Sequence, residues 1–178
     1  MNNEHIFPFK KILIVGCGGA GKSTLAAELG RRFGLPVINL DKIWWLPNWQ
    51  TRSERDFDDL LKAELQKPVW IIEGNYFRTF VTRLVYADLC IFLDYPTDLC
   101  IKSVYERVQK YRGRSRPDMT EGCPEQVDPE FKQWILSYDK DVKPKMLAAL
   151  AGSGVSHVIF RSREQADEWI DKQIGVFS

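Results

Sequence analysis

The octapeptide GCGGAGKS, residues 16–23, follows the apolar run KILIVG (11–16) and precedes a stretch whose large apolar residues recur with helical spacing. It fits the pattern G-x-x-x-x-G-K-[ST] at every defined position. Glycines let the backbone curl, so that successive N–H groups converge on a phosphate at the positive end of the following helix. The stretch therefore predicts a phosphate-binding loop for a nucleoside triphosphate.

Two side chains at the end of this loop have distinct predicted roles. Lys22 is expected to reach the β- and γ-phosphates, and the hydroxyl of Ser23 is expected to bind Mg²⁺. The alternative is a glycine-rich turn that precedes Lys-Ser without binding anything, but the flanking strand and helix patterns favour the phosphate loop. The residues expected to contact ATP here are Gly16, Gly18, Gly19, Ala20, Gly21, Lys22, Ser23 and Thr24.

Further apolar, β-branched runs recur at wide spacing along the chain. They are VWIIEG (69–74), LCIFLD (89–94), SHVIF (156–160) and the weaker PVINLD (36–41). Because they are continuously apolar, they predict strands buried on both faces. Helix-period stretches separate them, so the pattern predicts a parallel sheet with helices on both sides.

Composition limits the classes of protein that need to be considered. The 178 residues, 44% of them hydrophobic and 28% charged, are typical of one folded domain, and the net charge of +1 gives no bulk attraction to nucleic acid or membranes. The four cysteines are far apart, which argues against a disulfide framework or zinc site and favours a reducing compartment. The N-terminal MNNEHIFPF lacks the regions of a signal peptide, and no apolar run approaches the roughly 20 residues that span a bilayer. We therefore expect a cytoplasmic protein with no membrane partner.

The segment WIIEGNYFRT (70–79) resembles the D-G-F-P-R-T segment of adenylate kinases, although it has Glu for Asp, no proline and one additional residue. The resemblance implies that Glu73 holds Mg²⁺ through water and that Arg78 contacts substrate phosphate, with Asn75 among the substrate residues. Judged from the residues alone, Glu73 could instead cap or face the dipole of the next helix. Asp94, at the end of the following strand, is a second candidate for the Mg²⁺ role.

From Lys11 to about Ile174 the chain also resembles a bacterial group of adenylate-kinase-like P-loop proteins often labelled DNA topology modulation protein. The similar segments are GCGGAGKSTLA, LDKIWW, WIIEGNYFRT, IFLDYP, YRGRSRPDMTEGCPE and IFRSR. The resemblance implies ATP binding and a kinase-like fold, and it makes Arg161 and Ser162, in IFRSR, candidates for contacting the base. The label implies an effect on DNA, for which no residue gives independent support.

The stretch YRGRSRPDMTEGCPEQVDP, residues 111–129, is a long segment rich in glycine, proline and arginine. Long loops inside compact domains are usually functional lids or disordered segments. We predict a lid whose arginines stabilise the charge of a transferring phosphoryl group. A solvated basic loop and a nucleic-acid contact are the alternatives. The arginines proposed for this role are Arg107, Arg112 and Arg116.

The segment NLDKIWWLPNWQTR, residues 39–52, contains half of the six tryptophans. In an open α/β sheet, ligands bind beyond the carboxyl ends of the strands. Asp41 could therefore act as a base for a substrate hydroxyl, Trp44 and Trp45 could stack on a ring, and Arg52 could bind an acidic group. Alternatively, the tryptophans only pack on the sheet and Asp41 caps a helix.

Together these features predict a three-layer, doubly wound P-loop NTPase of the nucleoside-kinase type, with a five-stranded parallel sheet in the order 2-3-1-4-5 and a lid insertion. One domain would span residues 1–178, with an acceptor-binding segment at about 41–66 and a lid at about 111–129. The predicted activity is Mg²⁺-dependent transfer of the ATP γ-phosphoryl group to a nucleotide or small metabolite. An ATP-dependent regulator of DNA topology and a slow ATPase switch are the alternatives. The sequence indicates no oligomeric state.

Overall fold

The computed structural model describes residues 7–175, with the side chains described up to residue 173. The prediction that no signal peptide is present concerns mainly residues 1–6, which lie outside this range. None of the helices in the described part of the chain is long and apolar enough to cross a membrane.

The described chain alternates strands and helices. In chain order the elements are β1 (Lys11–Gly16), α1 (Lys22–Phe33), β2 (Val37–Asn39), α2 (Leu40–Trp44), β3 (Trp45–Leu46), a 3₁₀ turn (Pro47–Trp49), β4 (Gln50–Thr51), α3 (Glu54–Leu65), β5 (Trp70–Glu73), α4 (Phe77–Tyr86), β6 (Leu89–Leu93), α5 (Thr97–Lys110), α6 (Pro129–Asp141), α7 (Lys143–Ser153), β7 (Ser156–Phe160) and α8 (Arg163–Gly175).

Five strands form one parallel sheet in the order β2-β5-β1-β6-β7. This confirms the predicted fold class, and the order equals 2-3-1-4-5 once the short strands β3 and β4 are left out of the count. Those two strands form a separate antiparallel pair and were not predicted. The predicted strand 36–41 is shorter than expected, since β2 ends at Asn39 and Asp41 lies in α2.

The sheet is central and apolar, as expected for strands covered on both faces. Residues Ile12 to Val15 of β1 and Ile71 and Ile72 of β5 are fully buried. Helix α1 packs on β1, β2 and β5, whereas α4 contacts β1 and α7, and α8 contacts β7. Because all five strands are parallel, β1, β2 and β5 end at the same edge of the sheet, at Gly16, Asn39 and Glu73.

Sequence determines where several helices begin and end. The Ser53 side chain accepts from the backbone N–H of Asp56 to cap α3, and Asp128 caps α6 ahead of Pro129. Helix α1 ends at Gly34, whose φ of 68° is favourable for glycine. Each of these helix termini coincides with a capping residue that the sequence alone shows.

The segment between α5 and α6, residues 111–128, is called the arginine-rich loop below. It packs against the short hairpin formed by β3 and β4. The Asn48 N–H donates to the Gly122 carbonyl at 3.0 Å, and the Thr120 hydroxyl donates to the Trp45 carbonyl at 2.7 Å. Two segments that are far apart in sequence thus meet at the carboxyl edge of the sheet.

Candidate functional site

A cavity of about 1380 Å³ lies beyond the carboxyl ends of β1, β2 and β5. Its walls come from the phosphate loop and α1, the β3–β4 hairpin, the turn after β5, the arginine-rich loop and parts of α5, α6 and α8. This is where ligands bind in open α/β sheets.

The phosphate loop begins at the end of β1 and leads into α1 at Lys22. Gly19 and Gly21 have φ angles of 85° and 93°, in the left-handed region that favours glycine. No side chain caps the start of α1, and its first turn contains no acidic residue. The N-terminal N–H groups and the helix dipole therefore face the cavity without a competing anion.

Lys22 lies across this loop. Its ammonium donates to the carbonyls of Gly16 and Cys17 at 3.1 and 3.0 Å. Because both partners are neutral carbonyls, no carboxylate competes with an anion for this ammonium. Residues 18 to 24 line the cavity, while Gly16 lies just behind it at the end of β1.

Beside the phosphate loop, Glu73 is almost completely buried, with 4% of its surface exposed. Its Oε1 accepts from the Ser23 hydroxyl at 3.0 Å and from the Asn39 amide at 2.8 Å. Burial raises the pKa of Glu73, and the nearby Lys22 opposes this rise.

The Ser23 hydroxyl and the Glu73 carboxylate are hard oxygen ligands of the kind that Mg²⁺ prefers, and both lie beside the phosphate loop. A buried carboxylate with only neutral hydrogen-bond donors fits a cation. Glu73 does not accept from the start of α4, so the alternative helix-capping role is not seen. Asp94 forms an ion pair with Lys143 and does not line the cavity.

The turn after β5 connects the phosphate loop to the opposite wall. Asn75 accepts through Oδ1 from the Gly16 N–H at 3.0 Å, and the Tyr76 hydroxyl donates to Asp41 Oδ1 at 2.7 Å. Tyr76 has a φ of 33°, which is rare for a residue with a side chain.

Arg83, on α4, holds this turn from below. Its guanidinium is fully buried and donates to the carbonyls of Gly74, Asn75 and Tyr76. Burial lowers the pKa of Arg83 to about 10. Sequence reasoning missed this residue, although an arginine between the buried Phe80 and Leu84 on one helix face is a detectable signal.

Of the aromatic residues that line the cavity, four come from α2, the hairpin and the turn after β5 and are called the aromatic wall: Trp44, Trp45, Trp49 and Tyr76. Trp44 packs edge-on against Tyr76, with ring centroids 6.1 Å apart, and Trp45 packs edge-on against Trp49 at 5.2 Å. Each tryptophan therefore both contacts neighbours and faces the cavity. Asp41 lies beside them, and its partner is the Tyr76 hydroxyl rather than a helix N-terminus.

Of the predicted lid arginines, Arg107 and Arg116 line the cavity. Both bind Glu125, which is 7% exposed: Arg107 donates to Oε1 at 2.7 Å, and Arg116 pairs with Oε2. Burial lowers the pKa of Arg107. Sequence reasoning missed Glu125, because nothing in its spacing distinguishes it from other acids of the loop.

The structure does not bring every predicted residue to the cavity. Arg78 points from α4 to α3, where it forms a two-bond pair with Asp58. Arg52 donates to the Ile43 carbonyl at 2.8 Å, so its predicted binding of an acidic group has no support in this placement. Arg112, which is exposed, does not line the cavity either, nor do Arg161 and Ser162, which lie just before α8.

Two comparisons of the sequence with known proteins find similar proteins. The model of the family described as Isopentenyl transferase matches residues 9–82, from before β1 into α4. The YqaC protein of Bacillus subtilis (strain 168), described as uncharacterized, is 26% identical over 132 residues, 73% of each chain.

Two solved kinases share the architecture over almost the whole chain. Shikimate kinase from Acinetobacter baumannii has a TM-score of 0.61 at 16% identity and covers 96% of both chains. Deoxyadenosine kinase from M. mycoides has a TM-score of 0.51 at 15% identity, covering 94% of this chain and 99% of its own. At these identities the likeness shows the fold. The chain has the fold of these two kinases.

Proposed function

We propose that this protein is an Mg²⁺-dependent kinase that transfers the γ-phosphoryl group of ATP to a hydroxyl group of a small acceptor. The observation that carries the proposal is the shared cavity. The phosphate loop with Ser23 and Glu73 lies on one side, and Asp41 with the aromatic wall lies on the other.

The phosphate side would hold the nucleotide. N–H groups at the start of α1 and the Lys22 ammonium would bind the phosphates, because they converge on one point of the cavity and no carboxylate of the described residues is bound to them. Mg²⁺, bound by Ser23 and Glu73, would neutralise charge that develops on the phosphate oxygens. Most of the catalytic effect would come from positioning and charge stabilisation.

Asp41 would serve as the base for the acceptor. Its Oδ1 accepts from the Tyr76 hydroxyl, which fixes the carboxylate and leaves Oδ2 for an acceptor O–H. The acceptor oxygen would attack the γ-phosphorus while its proton passes to Asp41. The bond to the β–γ bridging oxygen would break, and ADP would leave.

The arginine-rich loop would close over this reaction. Arg107 and Arg116 already line the cavity, and exchange of Glu125 for phosphate oxygens would bring them to the transferring group. We also propose that the chain forms a single domain, that the arginine-rich loop is its lid and that the protein is cytoplasmic.

The test is ADP release with Mg·ATP across nucleoside monophosphates, nucleosides and small hydroxyl metabolites. An acceptor should raise ADP release about tenfold or more over the acceptor-free rate, a barrier change of about 1.4 kcal/mol. Lys22→Ala should abolish this release. Lys42→Ala, which alters an exposed lysine outside the cavity, should leave it unchanged. Release that no acceptor increases would contradict the kinase proposal and favour a slow ATPase switch.

A role in DNA topology, predicted from the subgroup resemblance, stays a prediction. Binding of duplex DNA at about 50 mM and 200 mM salt would test it, because phosphate contacts give a steep dependence on salt. A regulator should bind at low salt and lose affinity strongly at the higher concentration.

A further inference from the structure

The walls of the cavity also carry information on which acceptor fits, provided that the kinase proposal holds. Of the charged residues that line the cavity, eight are acidic and six are basic. A triphosphate accounts for several cations by itself. A second anionic ligand would need additional positive charge close to the aromatic wall.

The elements around the aromatic wall do not supply such a charge. Their basic residues include Lys42, Arg52 and Arg78, and none of the three lines the cavity. Arg52 is bound to a backbone carbonyl, Arg78 is paired on α3, and Lys42 is exposed. No cation from α2, the hairpin or the start of α4 therefore faces the cavity in the part of the chain that the structure describes.

Helix α5 and the arginine-rich loop each bring one guanidinium group to the cavity, Arg107 and Arg116, and acidic residues of the loop compensate both. Glu125 binds Arg107 and Arg116, and Asp118 pairs with Arg116 at 2.6 Å. Two cations and two anions give this cluster a formal charge near zero. Glu125 and Arg116 are each less than a tenth exposed, so water screens the pairing little.

The wall itself is suited to a ring. Trp45 and Trp49 present two indoles at an interplanar angle of 80°, and the Trp49 indole N–H is buried without a hydrogen-bond partner. Asn48 and Trp49 both have left-handed φ angles, 63° and 57°, which are strained for residues with side chains. The hairpin that lines the cavity thus contains a buried donor without a partner and two residues under backbone strain, and both features are typical of ligand-binding segments.

We infer that the acceptor is an uncharged, ring-bearing alcohol held by the aromatic wall and the Trp49 N–H. Glu125 neutralises Arg107 and Arg116 until the transferring phosphoryl group takes its place, so neither arginine is left for an anionic acceptor. Asp41 would then receive the proton of the neutral hydroxyl. Nucleosides and cyclic polyols fit this description, whereas nucleoside monophosphates and ring carboxylates do not.

The experiment extends the ADP-release panel to matched pairs that differ in charge. Thymidine is compared with thymidine 5′-monophosphate, methyl shikimate with shikimate, and each further panel compound with its charged or uncharged counterpart. The uncharged member of the active pair should give a kcat/KM at least about tenfold higher. A preference for the charged member would overturn this inference while leaving the kinase proposal intact. Release that no compound stimulates would remove both.

Two variants test the residues named. Glu125→Gln removes the negative charge that compensates the two arginines. The kcat/KM of the uncharged acceptor divided by that of its anionic counterpart should therefore fall at least about tenfold. An unchanged ratio in a folded variant would overturn the role of Glu125.

Trp49→Phe keeps a ring but removes the N–H donor, and it should raise the KM of the uncharged acceptor several-fold with little change in the KM of ATP. Trp169→Phe, a replacement outside the cavity, is the matched control. Equal behaviour of the two tryptophan variants would contradict acceptor binding by the Trp49 N–H.

Discussion

Replacement of Glu73 by glutamine should make the ligand-free protein more stable and the enzyme much less active. Glutamine keeps the shape of the side chain and an oxygen that can accept from Ser23 and Asn39. It removes the buried negative charge. The two effects have opposite signs because the same charge that is unfavourable in the empty site would be needed to hold Mg²⁺.

The stability change follows from the direction of the pKa shift. Burial raises the pKa of Glu73 in the folded protein above its value in the unfolded chain, so stability falls as the pH rises between the two values. Above that window the folded protein contains a buried carboxylate whose two hydrogen-bond donors are neutral. Such burial costs on the order of 1–3 kcal/mol. We expect Glu73→Gln to gain about 1 kcal/mol at neutral pH, or about 2–4 °C in melting temperature, and to lose the pH dependence that Glu73 causes.

The activity change should be larger. A metal ion contributes several kcal/mol of charge stabilisation in phosphoryl transfer, and a loss of about 3–4 kcal/mol lowers kcat/KM by about 10²–10³. Differential scanning calorimetry without ligand and ADP release at varied Mg²⁺ measure the two effects. Glu106→Gln, at an exposed carboxylate that also lines the cavity, is the control. A Glu73→Gln protein with unchanged Mg²⁺ dependence, or with a lower melting temperature, would refute the reasoning.

Two further substitutions test the packing that supports the site. In Gly19→Ala the new Cβ would overlap the Cys100 carbonyl and lie 2.9 Å from Val104, so we expect a loss of about 2–4 kcal/mol in the free energy of unfolding. Gly21→Ala is the control, because Gly21 has a similar φ but a Cβ there would have no atom within 4 Å. Urea titration should show only the cost of backbone strain for this variant, about 1–2 kcal/mol. Equal losses of stability in the two variants would contradict the close approach of Gly19 to Cys100. Arg83→Met leaves three carbonyls without their donor and should cost about 2–4 kcal/mol, whereas Arg78→Met breaks an exposed ion pair and should cost less than about 1 kcal/mol.

Much of the fold could be predicted because each signal is local. Continuous apolar runs identified the five strands, and the octapeptide 16–23 identified the turn between β1 and α1. The β3–β4 hairpin escaped prediction for a physical reason. It has two residues in each strand, and hydrogen bonds to Thr120 and Gly122, more than 70 positions away, help to hold it in place. The residue pattern within the segment gives no indication of such distant contacts.

The location of a site residue could be predicted where a sequence motif and the strand order both determine it. Ser23, Glu73 and Asp41 reach one cavity because parallel strands end at the same edge. Arg78 was assigned by similarity of a segment in which one residue is additional, and side-chain direction on a helix changes by about 100° per residue. The pairing of Glu125 with two arginines could not be predicted, because it depends on how an irregular loop folds back on α5.

The contacts between the hairpin and the arginine-rich loop would couple the tryptophans to the arginines in the proposed reaction. Trp45 accepts from Thr120 through its carbonyl, Asn48 donates to Gly122, and Cys123 donates to the Leu46 carbonyl at 3.2 Å. A displacement of the loop therefore strains the hairpin that carries the aromatic wall. An acceptor bound to the wall would stabilise the loop arrangement that places Arg107 and Arg116 at the cavity, and by linkage a nucleotide bound under those arginines would raise acceptor affinity by the same factor. Such coupling would let the empty enzyme keep its arginines neutralised by Glu125 and release them when both ligands are present.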